Sequence, residues 1–131
     1  EFLERIRFIP AQTRRQFMSV LYRSNLMLDT FPFGGGNTSL MAFAVGCPVV
    51  TYPGDYLRGR WTYGYYQLMG IMDCIADSVS AYIDIAVRLA CNISFRRDMS
   101  QSILAQNSVL YDQYDGVTQF VDFLKTVSCP S

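Results

Sequence analysis

Leu28-Asp29-Thr30-Phe31-Pro32-Phe33-Gly34-Gly35-Gly36-Asn37-Thr38-Ser39 decides how this chain is read, because a short apolar strand runs into three glycines and then into amide and hydroxyl residues that open a helix. Glycine has no Cβ, so a ligand can come close to that backbone, and the N–H groups of a helix's first turn point at an anion. A well-placed charge there is worth about 0.3–1 kcal/mol, which orients a diphosphate rather than supplying its whole affinity. The segment reads as a phosphate-holding loop between a strand and a helix.

Downstream lies Gly46-Cys47-Pro48-Val49-Val50-Thr51-Tyr52-Pro53-Gly54-Asp55, one short helix away. Leu40, Phe43 and Ala44 mark the buried side of that helix, and Gly46 suits a left-handed C-terminal cap. Pro48 to Thr51 predicts a strand with its proline confined to the start, and Pro53-Gly54 a turn. Upstream, Arg7-Phe8-Ile9 predicts a strand ended by Pro10, and Thr13 to Gln16 fits a capping box before a helix carrying Phe17, Val20, Leu21 and Ser24. Leu26-Met27-Leu28 has the pattern of a strand covered on both faces.

Further on, Leu57 to Met69 predicts an aromatic-rich helix stopped at Gly70, and Asp73 to Ala76 a fourth strand. Ser78 or Ser80 caps a helix through Ala90 with an apolar stripe of Tyr82, Ile83, Ala86 and Leu89 or Ala90. Two helices from Ser94 onward are separated near Asp112 to Gly116. Alternating strands and helices predict an α/β fold, a Rossmann-like parallel sheet with helices on both faces. Right-handed crossovers then gather the loops Pro10–Thr13, Thr30–Asn37 and Tyr52–Arg60 on one sheet edge.

Half of the 131 residues are apolar, enough for a substantial core in a single domain. Eleven basic and eleven acidic residues cancel, which argues against a nucleic-acid partner. No apolar run approaches the roughly 20 residues that cross a bilayer, and the start of the chain has no signal pattern, so no membrane partner and a cytoplasmic location are expected. Cys47, Cys74, Cys91 and Cys129 have no metal-ligand spacing and read as small apolar filler. With no histidine in the chain, neither a Ser-His-Asp nor a Cys-His arrangement can form, and the catalytic residues are left unassigned.

The string LDTFPFGGGNTSLMAFAVGCPVVTYPGDYLRGR, residues 28–60, resembles the nucleotide-binding half of the O-linked N-acetylglucosamine transferase (SPINDLY-like) glycosyltransferases. The resemblance runs from about Arg5 to about Asn92 and implies a partial GT-B C-terminal domain. Residues 1–131 are then a single, truncated nucleotide-sugar-binding domain. It further implies a donor-binding role in moving GlcNAc or glucose from a UDP-sugar to a protein side chain. The implied partners are the UDP-sugar, a protein acceptor, the missing N-terminal half of the catalytic unit and helical repeats. No cofactor or metal is implied beyond the UDP-sugar substrate, and the chain offers no DxD pair. A sheet without its first strands exposes apolar edges, so the isolated piece is expected to form homo-oligomers and to be inactive alone.

Carried over position by position, the resemblance gives Gly35, Gly36, Asn37, Thr38 and Ser39 to the diphosphate. It gives Gln12, Arg14 and Phe17 to the uracil base, and Arg60 to phosphate. Four of these have a plainer alternative: helix capping for Asn37 and Thr38, core packing for Phe17, and a solvated helix end for Arg60, as for its neighbour Arg58. Asp29 is expected to brace the glycine loop and Asp55 to cap the next helix. Trp61, Tyr63, Tyr65 and Tyr66 read as packing against the sheet, with a sugar or acceptor platform as the alternative. Met41 stands where the family carries an acidic residue that accepts from the ribose hydroxyls. The single lysine, Lys125, does not occupy the family's phosphate-gripping position. Two other functions stay open: a degenerate, non-catalytic nucleotide- or protein-binding domain, and a sugar-nucleotide epimerase-like domain.

Overall fold

A computed structural model describes residues 3–128, and Cys129 lies outside them. The first helix, α1 (Arg14–Arg23), opens on the expected capping box: Gln16 N–H donates to the Thr13 hydroxyl at 3.3 Å, and Thr13 N–H donates to Gln16 Oε1 at 2.9 Å. Next come β1 (Met27–Leu28), α2 (Asn37–Ala44) and β2 (Val49–Val50), then a 3-10 turn (Leu57–Gly59) and α3 (Trp61–Met69). The chain continues through α4 (Val79–Cys91), α5 (Ile93–Gln106), a further 3-10 turn (Asn107–Leu110) and α6 (Asp115–Ser128).

β1 and β2 are parallel, with Met27 opposite Val49 and Leu28 opposite Val50. Met27 N–H donates to the Pro48 carbonyl at 2.8 Å, and Asp29 N–H to the Val50 carbonyl at 2.9 Å. The expected fourth strand is reduced to a parallel bridge between Thr51 and Ile75. Val49 and Val50 are both 0% exposed. Neighbouring strand residues point to opposite faces, so β2 is covered on both sides and the α/β reading holds around a short sheet. Beside β2, the hydroxyl of fully buried Tyr66 takes the place of a further strand: it accepts the Val49 N–H and donates to the Val49 carbonyl, both at 2.9 Å.

Glycine ends two helices as expected, Gly46 with φ +72° after α2 and Gly70 with φ +70° after α3. Ser78, not Ser80, caps α4, its hydroxyl accepting the Ala81 N–H at 3.1 Å. Several expectations are corrected. Arg7 to Ile9 form no strand, and Phe8 is 95% exposed, because among the described residues no strand lies alongside to take their backbone groups. Leu28 is 53% exposed, since β1 is an edge of the sheet and is not covered on both faces. On α4 the packed stripe is Tyr82, Ile85, Ala86 and Leu89, while Ile83 and Ala90 face outward. Cys47 and Cys74 fill the core, but Cys91 is exposed. Among the described residues no helix is long and apolar enough to cross a membrane.

Candidate functional site at the glycine loop

The loop after β1 is built around Asp29, which is 4% exposed. Its carboxylate accepts the Gly35 N–H through one oxygen and the Thr51 hydroxyl at 2.9 Å through the other, tying the loop to the end of β2. Its main-chain carbonyl accepts from the Tyr82 hydroxyl at 2.8 Å, so α4 anchors the same residue. Burial, and then the Asp29 charge, raise the pKa of the Tyr82 hydroxyl above its ordinary value. The second loop closes on the first where Gly34 N–H donates to the Arg58 carbonyl at 2.8 Å.

The glycines divide into two kinds. A Cβ on Gly34 would lie 3.1 Å from Asp29 Oδ2, and one on Gly35 would lie 2.6 Å from Ser39 Oγ. Those two are required by internal packing, and their N–H groups are already committed. Gly36 differs: a Cβ there would meet nothing within 4 Å, so this glycine borders open space. It is also the N-cap of α2, and no side chain caps the helix. Asn37 and Thr38 therefore do not cap; they sit exposed in the first turn, whose leading N–H groups have no side-chain cap.

Ser39 corrects its expected role, since its side chain is fully buried. Its hydroxyl lies 2.8 Å from Thr62 Oγ1, and the two hydroxyls lie 3.1 and 3.2 Å from the Gly35 carbonyl, so that one donates to the carbonyl while the other donates either to it or to its neighbouring hydroxyl. Two hydroxyls thus brace the loop from α2 and α3. Nothing in the local sequence marks Thr62, which comes from 27 residues away.

Between α1 and α2 lies a groove of about 540 Å³ lined by Arg14 and Met18 of α1, Asn37, Leu40, Met41 and Ala44 of α2, and Tyr111, so that the first turn borders it through Asn37. Asn37 and Met41 are four residues apart and share one face of α2. Tyr111, unforeseen in the sequence, donates its hydroxyl to the Leu40 carbonyl at 2.6 Å, and Asn107 Nδ2 donates to the Phe43 carbonyl at 2.9 Å. These two side chains hold the C-terminal half of α2 in place.

The three residues expected around a base do not share this groove. Arg14 does line it, but Gln12 and Phe17 border a separate hollow of about 230 Å³ with Ile9, Pro10 and Val20. Gln12 donates to the Pro10 carbonyl at 2.8 Å, and Phe17 packs partly on the core, midway between its two expected readings. Arg60 lies outside the groove; it donates from Nη1 to the Gly54 carbonyl at 2.9 Å, and its guanidinium stands 4.6 Å from the centre of the Tyr63 ring. Arg58 lies over Tyr56 in the same manner, at 4.5 Å. Asp55 does not cap the turn that follows, which starts after Tyr56 without a side-chain cap. Tyr65 and Tyr66 pack on Phe43, as the packing reading expects, and Trp61 is 43% exposed.

The sequence model of glycosyl transferase family 41 matches residues 4–119. The chain belongs to that family. Among family 41's relatives, the UDP-glucose:protein N-beta-glucosyltransferase of Actinobacillus pleuropneumoniae serotype 5b is 27% identical over 101 residues, 76% of this chain and 16% of that protein. The probable SPINDLY UDP-N-acetylglucosamine–peptide N-acetylglucosaminyltransferase of Petunia hybrida is 24% identical over 79 residues, 60% of this chain and 8% of that protein. A mutant of the Thermobaculum terrenum O-GlcNAc transferase superposes with a TM-score of 0.81 at 25% identity, over 93% of this chain and 24% of that one. This family 41 chain therefore spans a small part of the proteins it resembles, and its α/β fold is that of their GT-B C-terminal region.

Proposed function

We propose that the chain is the donor-binding part of a protein glycosyltransferase, taking a UDP-linked GlcNAc or glucose whose diphosphate rests on the first turn of α2. The observation that carries this reading is the uncapped α2 terminus at Gly36, whose first-turn residue Asn37 borders the Arg14–Met41 groove, in a family 41 chain. A diphosphate there accepts from the N–H groups of Asn37 and Thr38, with Arg14 supplying the positive charge that the neutral chain lacks elsewhere in this groove. During transfer the same donors steady the negative charge that develops on the departing UDP. Gln12 reaches the base, and Arg60 the phosphate, only if the segment before α1 and the second loop shift toward α2 when the donor binds, and Phe17, carried on α1, reaches the base only if α1 itself turns. The protein acceptor, the complementary half of the catalytic unit and helical repeats complete the assembly, in the cytoplasm and without a cofactor.

Isothermal titration of the chain with UDP tests the reading. Saturable binding that weakens at least fivefold in Arg14→Ala supports it; no saturable binding at millimolar UDP refutes it. A non-catalytic nucleotide-binding domain is the second reading, favoured by the absence of any carboxylate from the groove lining. Hydrolysis or transfer of labelled UDP-sugar by the chain joined to its complementary half separates the two.

A further inference from the structure

β1 and β2 run from Asn25 and Pro48 toward the glycine loop, so the turns that precede them lie at the opposite end of the sheet from that loop. There α1 and α5 flank a groove of about 530 Å³ floored by Val45 to Pro48. A hollow of about 340 Å³ continues it along α1, sharing Tyr22 and Val45. A Cβ on Gly46 would lie 2.8 Å from Leu104 Cγ and 2.9 Å from Ser100 Oγ, so α5 sits hard against the turn after α2 and the spacing of the two walls is set.

The charge here is one-sided. Arg15 and Arg23 of α1 and Arg96 and Arg97 of α5 line the two hollows, and no aspartate or glutamate lines either, in a chain whose eleven basic and eleven acidic residues cancel. Arg15, Arg23 and Arg97 are exposed, and their guanidinium groups have no partner among the described residues. Arg96 donates from Nη1 to the Leu89 and Ala90 carbonyls at the end of α4, at 2.7 and 3.0 Å. The C-terminal ends of α1, α2 and α4 bring roughly half a negative charge each, which leaves the arginines in excess by roughly two charges. Among them stand Tyr22, 75% exposed, Ile93, 63%, and Leu104, 51%. Exposed arginine mixed with aromatic and aliphatic side chains is the composition of a protein-binding patch.

We propose that this groove takes an acidic peptide segment of a partner protein, its carboxylates on Arg23 and Arg97 and one large apolar side chain against Tyr22, Ile93 and Leu104. Guanidinium groups hold carboxylates through paired hydrogen bonds, and Asn25 and Gln101 add donors and acceptors for the peptide backbone. Ile93 to Leu104 spans about 16 Å of α5, the reach of about five extended residues. A concave gap between two helices admits a single chain, whereas a flat bilayer surface does not reach its floor.

Fluorescence anisotropy of the chain with a labelled peptide of about eight residues, glutamates around one leucine and one phenylalanine, tests the proposal. Saturable binding is expected, weakened about fivefold or more when sodium chloride rises from about 50 to about 300 mM. Arg23→Glu with Arg97→Glu should weaken it about tenfold or more, while Arg5→Glu with Arg7→Glu, the same change of charge outside the groove, should leave it within about twofold. Thermal melting confirms that each variant is folded, and Arg23→Gln with Arg97→Gln replaces the reversal if that one is not. The peptide with glutamine for every glutamate should bind about tenfold weaker. No saturable binding at millimolar peptide, equal losses in the two double reversals, or equal binding of the glutamine peptide overturns the proposal. Tighter binding of a single-stranded DNA of equal charge, or of phosphatidylserine vesicles, that the Arg23→Glu and Arg97→Glu pair abolishes also overturns it, because the groove would then serve a nucleic acid or a membrane.

Discussion

Replacing Asp29 by alanine removes the centre of the loop, and the structure sets the size of the effect. The carboxylate holds two donors, the Gly35 N–H and the Thr51 hydroxyl, and Thr51 is 1% exposed, so water cannot readily replace the lost acceptor. A hydrogen bond to a charged group contributes about 1.5–3 kcal/mol. Against this, the carboxylate is itself buried without a cation bonded to it, and its removal recovers part of a desolvation cost. The net expectation is a loss of about 2–4 kcal/mol. At roughly 3–5 °C per kcal/mol for a chain of this length, the Tm falls by about 10 °C. Urea denaturation measures the loss directly, and an unchanged slope with a lower midpoint assigns it to the native state. Asp29→Asn should lose about half as much, because the amide oxygen can keep the Gly35 N–H while its NH₂ donates to a reoriented Thr51 hydroxyl. UDP affinity should fall in both variants in that order, since the loop that Asp29 holds leads directly into Gly36 and the first turn of α2. A change in stability below about 0.5 kcal/mol for Asp29→Ala would refute the reasoning.

Tyr66→Phe should destabilise by about 2–4 kcal/mol, because it strands the buried N–H and carbonyl of Val49 together; differential scanning calorimetry checks this, and a Tm within 2 °C of the wild type would contradict it. Burial pushes the thiols of Cys47 and Cys74 up to about 11 from 9.0. In a Cys129→Ser background, a thiol reagent at pH 8 should therefore label exposed Cys91 first and reach the other two only on unfolding. The same shifts fix a sign: the folded chain keeps protons that the unfolded chain releases above pH 9, so these thiols leave stability flat below pH 8 and lower it as pH rises from 9 through 11. Urea midpoints measured across that range should fall in the wild type and fall less in Cys47→Ala.

Local signals carried most of the architecture. The capping box at Thr13, the left-handed glycines at 46 and 70, and the β-branched run Val49-Val50-Thr51 act over one turn or one strand, and each lies where its chemistry requires. Arg7-Phe8-Ile9 failed for the opposite reason: a strand exists only through a neighbour, and propensity does not reveal whether one is present. In the site, the glycine cluster pointed to the right turn of chain but not to the division of labour within it. Three glycines in a row look equivalent, yet Gly34 and Gly35 are held against Asp29 and Ser39 while Gly36 alone faces open space. That distinction depends on Thr51, Thr62, Tyr82 and Tyr111, which reach the loop or α2 from as far as 71 residues away and carry no mark of it in their own surroundings.

The most direct test of the central claim is a two-dimensional amide NMR titration of the uniformly nitrogen-15-labelled chain with UDP. The account predicts that the N–H signals of Gly36, Asn37 and Thr38 move most, saturably and together, with Met41 following, while those of Gly34 and Gly35 move little because their donors are already engaged. Saturable shifts centred elsewhere, or none at the start of α2, would contradict it.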